Sequence, residues 1–503
     1  MSLKIPGLPP GNNNHSQRMN KLRKSLPIPM KSPPALLALF LATPVLAAGV
    51  APASHDDPRG IIPITPPPVS VRQTACGEVP ARPLSLADLA DIALCRNPQT
   101  AASWASVRAA AAQIGIARSA ELPGVNLNIG PTLGSSKSFR TTGFIDANGN
   151  LVSGSSVLTQ VNSSARLAVN YLIFDGGGRR AQIDAATAQQ RAALASYADA
   201  AQGVILNVVT AYNSLAANRA NETANLANVA FASQSRDLAA ARKNAGVATA
   251  ADQLQGETSL AQAELTLIQT RGAIATAAAQ LAVAVGLPPT RSLDLAPPPP
   301  LASGDLLKLG ADGLIADAER LRPDIIAAKA NVDAAAANVR VAQSAGRPSF
   351  NMQASNSVSA IDTTIDRNVV SAGLSLSVPL FSGWNTRYNI ASARAQLDQQ
   401  QALAEQTRQQ AGLAVYSNFI ALDNALSSLA TARVLIRSAT QSADLAQGRY
   451  KAGAGTYADL LNAQSALANG RQQLVQSEFN VRTANAQLAR AVGGIGEAID
   501  EQR

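Results

Sequence analysis

The chain has 503 residues, of which 47% are hydrophobic and 15% are charged, so it can bury a large core and is not compositionally disordered. Its formal charge of +9 does not indicate nucleic-acid binding, because six basic residues precede residue 48, where no acidic residue occurs, and about +3 is spread over the rest. Aromatic residues make up only 4%, and long alanine runs favour closely packed helices over a large globular core.

Residues 1–48 have the pattern of a secretory signal peptide. Basic residues precede an apolar run from Ala35 to Leu46, and the small residues 47–49 follow. Twelve residues are too few to span a bilayer, and no later run reaches about 18 consecutive apolar residues. The sequence therefore predicts an exported protein without a transmembrane helix, and Met19 is an alternative start because it begins a conventional signal.

Residues 49–83 are predicted to form a proline-rich linker that contains Cys76, and Cys95 lies in the first predicted helix. In an exported protein, two cysteines separated by 18 residues predict a disulfide, which stabilises a loop of that size by about 3 kcal/mol. The alternative is a pair of free or metal-bound thiols. No metal site is predicted, since the two histidines, His15 and His55, lie in the presequence and the linker.

Two copies of one pattern make up the rest of the chain, residues 84–295 and 296–493, before a tail of residues 494–503. In both copies 25 residues separate the two prolines that bracket the opening helix. Further on, an offset of 207 residues relates the copies without an insertion for over 110 residues. The first copy is longer within Gly130–Ser156, a stretch rich in Gly, Ser and Asn that predicts a surface loop.

Each copy opens with a predicted helix, Ser85–Ala120 and Ala316–Ala345, which ends before a proline. Two alternating strands follow, about 124–130 and 164–174 in the first copy and about 349–356 and 369–380 in the second. Alternation of apolar with small or polar residues is typical of transmembrane β-strands. A half-buried soluble hairpin has the same local pattern, so both interpretations remain open on the strands alone.

A long helical hairpin is predicted next in each copy. About 70 helical residues lead to tips near residues 246 and 453, and about 40 residues return. At 1.5 Å per residue these segments are rods of ~100 Å and ~60 Å. Rods of these proportions can form the wall of a hollow cylinder.

Three landmarks recur in both copies: Phe-x-Gly at the strand-to-helix junction, Arg-x-x-x-Gly leading to Asp-x-Leu at the tip, and Val-Gly at the end. Together they resemble the TolC-type outer-membrane factor family across nearly all of the mature chain. The resemblance implies a mixed α and β membrane protein, a trimer with a 12-stranded transmembrane β-barrel, four strands per chain, continued by a long periplasmic α-helical coiled-coil barrel. An oligomer is also expected on physical grounds, because four strands cannot close and spanning barrels need at least about eight.

The same resemblance implies the exit duct of a tripartite efflux or type I secretion system in the outer membrane, with no catalytic residues and no cofactor. Its partners would be two further copies, outer-membrane lipid, and a periplasmic adaptor (membrane fusion protein) linked to an inner-membrane pump or ABC exporter. Protein, drug and metal cargo all remain open. The alternatives are a periplasmic coiled-coil adaptor, which needs only one such hairpin, and a structural fibre, which needs no alternating strands.

In the family the hairpin tips dock the adaptor and close the entrance. The resemblance implies that the docking residues are Arg242, Gly246, Thr249, Arg449, Gly453 and Thr456. It implies that the entrance and its constriction are formed by Asp252, Tyr450, Gly455, Asp459 and Asn462.

Within that constriction set, Asp252 and Tyr450 match an acid and a tyrosine that hold the entrance closed, but Gly455 stands where the family has the arginine that they bond. Asp459 matches a constricting acidic ring, although Asn462 replaces a second acid one turn later. Three Asp459 carboxylates around a threefold axis would favour cations and raise one another's pKa. The alternative for Asp459 is an ordinary helix cap.

Three aromatic residues, Phe174, Phe381 and Trp384, lie where the strands would enter the periplasm. This position predicts an interfacial aromatic belt that contacts lipid headgroups. Packing in a protein core is the alternative.

Overall fold

The computed structural model describes residues 57–63, 82–145, 147–149, 151–298, 305–361 and 364–496. The elements below all lie in one compact unit, Arg59–Arg503. The predicted signal peptide, most of the linker and Cys76 lie outside the described residues.

The opening segment of each repeat is two helices rather than the single helix predicted. Helices α1 (Leu86–Arg96) and α2 (Pro98–Ser119) are separated by Asn97, whose backbone is extended with φ −71° and ψ 128°. The proline that follows disfavours the helical conformation at Asn97, which explains the break. The Asn97 side chain then accepts a hydrogen bond of 2.8 Å from the Gln99 N–H and caps α2.

Strands β1 (Gly124–Ile145) and β2 (Leu151–Phe174) follow α2. They pair in antiparallel fashion from Gly124–Asn170 to Ile145–Leu151, with one register shift between Arg140 and Phe144, so most of the predicted loop Gly130–Ser156 is strand instead. The prediction was wrong because Gly, Ser and Asn have low β-propensity, whereas the continuous ladder satisfies their backbone groups without help from side chains.

The first helical hairpin consists of α3 (Gly178–Asn244) and α4 (Ala250–Ala284). A short 3-10 helix (Asp305–Leu309) leads to α5 (Gly310–Leu321) and α6 (Pro323–Ser344), which break at Arg322 as the first pair breaks at Asn97. Strands β3 (Ser349–Ile361) and β4 (Thr364–Ser377) and the second hairpin, α7 (Asn385–Lys451) and α8 (Tyr457–Val492), complete the chain.

The four strands form one antiparallel sheet in the order β1-β2-β3-β4. Large apolar side chains on one face are exposed, among them Val125, Ile129 and Leu374. In the described chain, β1 and β4 each pair on one side only. The sheet is therefore open at both edges and uncovered on its apolar face.

The helices form a layered wall beneath the sheet. Helix α3 packs against α4 on one side and α8 on the other, and α8 packs against α7. Nearer the sheet, α3 lies between α2 and α6, and α6 contacts α7. The order across the wall is therefore α4–α3–α8–α7, so α7 has a neighbour in this chain on one side only.

Helices α3 and α7 each contain a window long and apolar enough to cross a membrane by length and composition alone, with mean hydropathy 1.2 and 1.4. The sequence expectation of no such helix rested on uninterrupted apolar runs, a stricter criterion. Each helix has 67 residues, or ~100 Å, about three times the thickness of a bilayer's hydrocarbon core. The chain buries 50% of the α3 window but only 22% of the α7 window.

The Val-Gly landmark marks the contact between each closing helix and the break in its opening helices. Gly286 follows α4 with φ +84°, and a Cβ there would lie 2.7 Å from the Arg96 carbonyl carbon. The Asn97 side chain donates to the last-turn carbonyl of Ala284 at 2.9 Å, and Arg322 donates to Ala491 at 2.9 Å in the second repeat. These contacts hold each hairpin to its opening helices.

Candidate functional site

Both helical hairpins end in the same tight turn, although the first tip lies at Gly246 and the second at Gly453. The two glycines have φ of +77° and +76°, the left-handed region that glycine adopts without steric cost. The Val247 N–H donates to the Arg242 carbonyl at 2.9 Å, and the Ala454 N–H bonds the second helix in the same way. This arrangement is a Schellman motif, which satisfies carbonyls at the end of each long helix.

The arginines of the two tips have different partners. Arg242 donates within its own turn to the Val247 carbonyl at 3.5 Å and also donates to the Tyr450 carbonyl of the second hairpin. Its guanidinium lies 4.8 Å from the centre of the Tyr450 ring, a cation–π distance. Arg449 donates to the Ala454 carbonyl of its own turn at 3.3 Å. Arg242, predicted as a docking residue, therefore ties the two hairpins together.

Each returning helix begins with a capping box. The Thr249 hydroxyl accepts from the Asp252 N–H at 3.2 Å, and the Asp252 carboxylate accepts from the Thr249 N–H at 3.1 Å. Thr456 and Asp459 make the same pair of bonds at 3.1 and 3.2 Å. Asp459 therefore makes the hydrogen bonds of a helix-capping residue, as the alternative interpretation requires.

The Asp459 side chain is fully exposed, and its pKa is below the ordinary value of 3.8. Hydrogen bonding to the Thr456 side chain and N–H is the main cause, and the charge of Arg449 adds to it. The expected upward shift from three converging carboxylates would act against these local interactions. Within one chain Asp459 is thus a charged, accessible carboxylate at neutral pH.

Two tyrosines fill the contact between the tips. Tyr450 and Tyr457 are both 3% exposed, and their rings pack edge to face with centroids 5.3 Å apart. Neither hydroxyl has a hydrogen-bond partner among the described residues. Burial raises the pKa of Tyr457 to about 12, helped by Tyr450 and the negative charge of Asp252.

The predicted entrance residues separate into two groups. Tyr450 and Asp252 lie close together at the contact between the hairpins. Burial is the main cause of the raised pKa of Tyr450, and the negative charge of Asp252 raises it further. Gly455, Asp459 and Asn462 instead line a cavity of about 380 Å³ between α7 and α8, together with Arg449. A Cβ at Gly455 would lie 3.2 Å from the Arg449 Cβ, so a larger side chain there would crowd this arginine.

Sequence reasoning missed Tyr457 and Gly256, which shape the same contact. A Cβ at Gly256 would lie 2.7 Å from the Tyr457 hydroxyl and 3.0 Å from the Arg236 Cα. Glycine therefore lets α4 approach α3 and Tyr457 closely. Both positions break the repeat, because the 207-residue offset places Gly256 opposite Ala463 and Tyr457 opposite Ala250. This difference between the two repeats was the sequence signal that could have identified both residues.

The strand-to-helix corners contain the three predicted interfacial aromatics, all exposed. Phe381 and Trp384 pack edge to face at 5.8 Å, and the Arg387 guanidinium lies 4.7 Å from the Trp384 ring. Phe174 pairs with Phe350 across the β2–β3 ladder, after a register shift. Contact of these residues with lipid stays a prediction.

Cys95 is disulfide-bonded. Because Cys76 lies outside the described residues, its pairing with Cys95 stays a prediction. In the part of the chain that the structure describes, no group of three or more His, Cys, Asp or Glu residues could hold a metal ion.

Comparison with known proteins identifies the pattern. Residues 89–287 and 314–494 match the model of a family described as outer membrane efflux protein. Protein CyaE of Bordetella pertussis is 31% identical over 421 residues, which cover 82% of this chain and 85% of that protein. Outer membrane efflux protein BepC of Brucella suis is 27% identical over 406 residues, covering 79% and 82%.

Among solved structures, the outer-membrane channel OprN superimposes with a TM-score of 0.70 at 22% identity, covering 86% of this chain and 97% of that one. This likeness confirms the predicted fold of four strands per chain with long helices in two repeats.

Proposed function

The chain belongs to the outer membrane efflux protein family, and from that premise we propose that three copies form one continuous exit duct gated at the hairpin tips. As a member of this family it is an outer-membrane channel of efflux and type I secretion systems, with a periplasmic helical extension, and not an enzyme. The periplasmic-adaptor alternative is thereby set aside. Homologues form trimeric channels in tripartite systems.

The observation that carries the trimer is the open four-stranded sheet. Its edges, β1 and β4, are unpaired in the described chain, and a membrane has no water to satisfy their backbone groups. Pairing β1 of one copy with β4 of the next removes both edges, and the three copies that the family resemblance implies give 12 strands. The helices are consistent with this arrangement. The rotation that pairs β1 with β4 of the next copy would also bring the uncovered side of α7 against α4 and α2 of that copy.

The test of the trimer is a gel of the outer-membrane fraction with and without heating. We expect a heat-labile band at three times the mass of the mature chain. Monomeric, soluble material recovered from cells would overturn the proposal.

For the gate, we place the constriction at the second tip, where Asp459 from three chains would meet around the axis. Its support is the exposed, charged Asp459 carboxylate beside the cavity that Gly455 and Asn462 line. A carboxylate ring in a narrow mouth attracts cations. Replacing Asp459→Ala should therefore lower cation selectivity and weaken block by multivalent cations in planar bilayers.

The matched control is Asp252→Ala, because Asp252 has the same capping box in the first repeat. Both variants keep the N-cap threonine and lose the N3 half of the capping box, so their structural cost should be matched. Only Asp459→Ala should change selectivity. If the two variants conduct alike, Asp459 is a cap and the gate lies elsewhere.

For docking, we propose that the turns at Gly246 and Gly453 receive the hairpin of a periplasmic adaptor. Arg449 is exposed and donates its hydrogen bond to a carbonyl of its own turn, so it can act in docking without breaking a bond between the hairpins such as Arg242 makes. Arg449→Glu should reduce export while the heat-labile trimer persists. Undiminished export by this variant would remove Arg449 from the docking surface.

A further inference from the structure

The two faces of the sheet differ in chemistry. On one face large apolar side chains are exposed, including Leu127, Leu133, Val370 and Leu376. A membrane-spanning sheet must turn such a face to lipid. The opposite face has a cavity of about 300 Å³ lined mainly by small and polar residues, with Arg166 among them. This opposite face is therefore the one that would line the pore.

Arg166 is a charged residue on this face. Its register partners are Asn128 on β1 and Ser357 on β3, and both are uncharged. The side chain is exposed and has no ion pair with any residue that the structure describes. It lies eight residues, or ~26 Å along the strand, from the helix junction at Phe174. A membrane-spanning strand has about 9–11 residues, so Arg166 lies toward the outer end of the span, away from the helices.

A second arginine, Arg367, lies on the same face. It pairs with Ser359, two residues along β3 from the partner of Arg166. From the strand spacing and rise, the two Cα atoms are ~12 Å apart. Asp366 precedes Arg367 in sequence and is the one acid in the four strand sequences, against four basic residues. The proposal therefore rests mainly on Arg166, which has no acidic neighbour in the ladder. Arg367 adds a second positive charge on the same face.

We propose that Arg166, supported by Arg367, forms an anion-binding ring inside the barrel that favours solutes bearing carboxylates. The inference rests on the proposed trimer. Twelve strands at ~4.8 Å spacing and ~40° tilt give a backbone radius of ~12 Å. An arginine pointing inward then brings its charge within about one Debye length, ~8 Å, of any solute on the axis.

This ring has the opposite sign to the proposed Asp459 ring at the other end of the conduit. A guanidinium binds carboxylates in bidentate fashion and stays charged at any physiological pH. Anionic solutes would therefore bind from the barrel side, and multivalent cations from the tip side. The proposal predicts that block depends on the side from which the blocker is added.

The experiment is planar-bilayer recording of the full-length trimer with poly-glutamate added on the barrel side. The charge-removing variant Arg166→Gln/Arg367→Gln should weaken block at least tenfold. The charge-retaining variant Arg166→Lys/Arg367→Lys should stay within about threefold of the unsubstituted protein. Asn170→Gln, on the same face, is the neutral control and should leave block unchanged.

Heat-labile trimer is checked for every variant, so assembly and selectivity are read separately. If Arg166→Gln/Arg367→Gln conducts and poly-glutamate blocks it as before, the ring is wrong and the channel stands. If the single variant Arg166→Gln leaves block intact, Arg166 has no part in it and the proposal fails. If the unsubstituted protein forms neither trimer nor channel, the proposed function fails and the ring fails with it.

Discussion

Helices α3 and α7 have the same length, 67 residues, and correspond residue for residue at an offset of 207, yet the chain buries them very differently. Twenty residues of α3 are buried, against nine of α7. The difference follows from position, because α3 has helices of its own chain on both sides and α7 on one side only. The matching sequence patterns thus specify helices of the same length. The position of each helix in the wall determines which of its apolar residues are buried within this chain.

The uncovered side of α7 shows what a single chain leaves incomplete. Its exposed large hydrophobic residues are Tyr388, Leu403, Leu413, Tyr416, Ile420, Val434, Leu435 and Leu445. An apolar surface extended along so long a helix marks an interaction site rather than scattered surface residues. Comparing α3 with α7 therefore separates folding of the chain from its assembly.

The largest expected effect comes from a charge placed at matched positions of the two helices. Val209 in α3 is 4% exposed, and its counterpart Tyr416 in α7 is 53% exposed. We expect Val209→Asp to destabilise the chain itself by several kcal/mol, since it buries an unpaired charge. Tyr416→Asp should leave helical content unchanged and remove the heat-labile trimer. Circular dichroism and unheated gels measure the two outcomes.

The control for that pair is Tyr416→Phe, which keeps the ring and should assemble normally. Equal loss of helical content in Val209→Asp and Tyr416→Asp would contradict the comparison, because it would mean that α7 folds only within the trimer.

A smaller effect is expected where the two hairpins meet. Gly256→Ala places a Cβ 2.7 Å from the Tyr457 hydroxyl, so we expect a loss of about 1–3 kcal/mol in unfolding free energy. Adding Tyr457→Phe should restore part of it. Gly272 in the same helix has open space around it, and Gly272→Ala should instead stabilise by about 0.5–1 kcal/mol. Urea unfolding measures all three, and equal effects at the two glycines would rule out the close packing.

The third comparison is between the two strand-to-helix corners, where we expect substitutions to change the free energy of unfolding by about 1 kcal/mol. Gly177 has φ +92° before α3, whereas Trp384 holds φ +67° at the same place before α7. A left-handed residue with a side chain costs about 1–2 kcal/mol. Gly177→Ala should therefore destabilise by about 1 kcal/mol, and Trp384→Gly should be more stable than Trp384→Ala by a similar amount. No difference between the two Trp384 variants in thermal unfolding would mean that the corner relaxes.

Much of the fold could be predicted because it repeats. The long rods and their tips follow from a fixed offset and from glycines at both turns. The breaks at Asn97 and Arg322 were missed although each precedes a proline, the same rule that ended the helix before Pro123. The outer parts of β1 and β2 could not be read from composition, because backbone pairing rather than side-chain preference holds them.

The candidate site was predictable only where it is local. The Thr-x-x-Asp pattern of both capping boxes is a signal within four residues, so Asp459 as a cap could be foreseen. The bond from Arg242 to Tyr450 joins residues 208 positions apart, and nothing near either residue indicates it. Gly256 and Tyr457 likewise acquire their role from the packing of one hairpin on the other.

The smallest expected effect is a pH dependence that separates the two helix junctions. In the second repeat Arg322 donates to Ala491 and pairs with Asp324 at 2.6 Å, whereas in the first repeat the neutral Asn97 makes the equivalent bond to Ala284.

Burial by itself would raise the pKa of Asp324, but its hydrogen bonds and ion pair with Arg322 outweigh burial and lower the pKa below 3.8. A lowered pKa means that the charged form stabilises the fold above pH 3.8 and that this contribution is lost as the pH falls further. We expect a loss of less than about 1 kcal/mol at the end of α8. The end of α4 should lose no stability in this way, because Asn97 does not titrate.

Hydrogen-exchange protection of the last turns at pH 6 and pH 3 measures the difference, and Arg322→Asn, which copies the first repeat, should abolish it. A difference that survives this substitution would assign the acid sensitivity to another group.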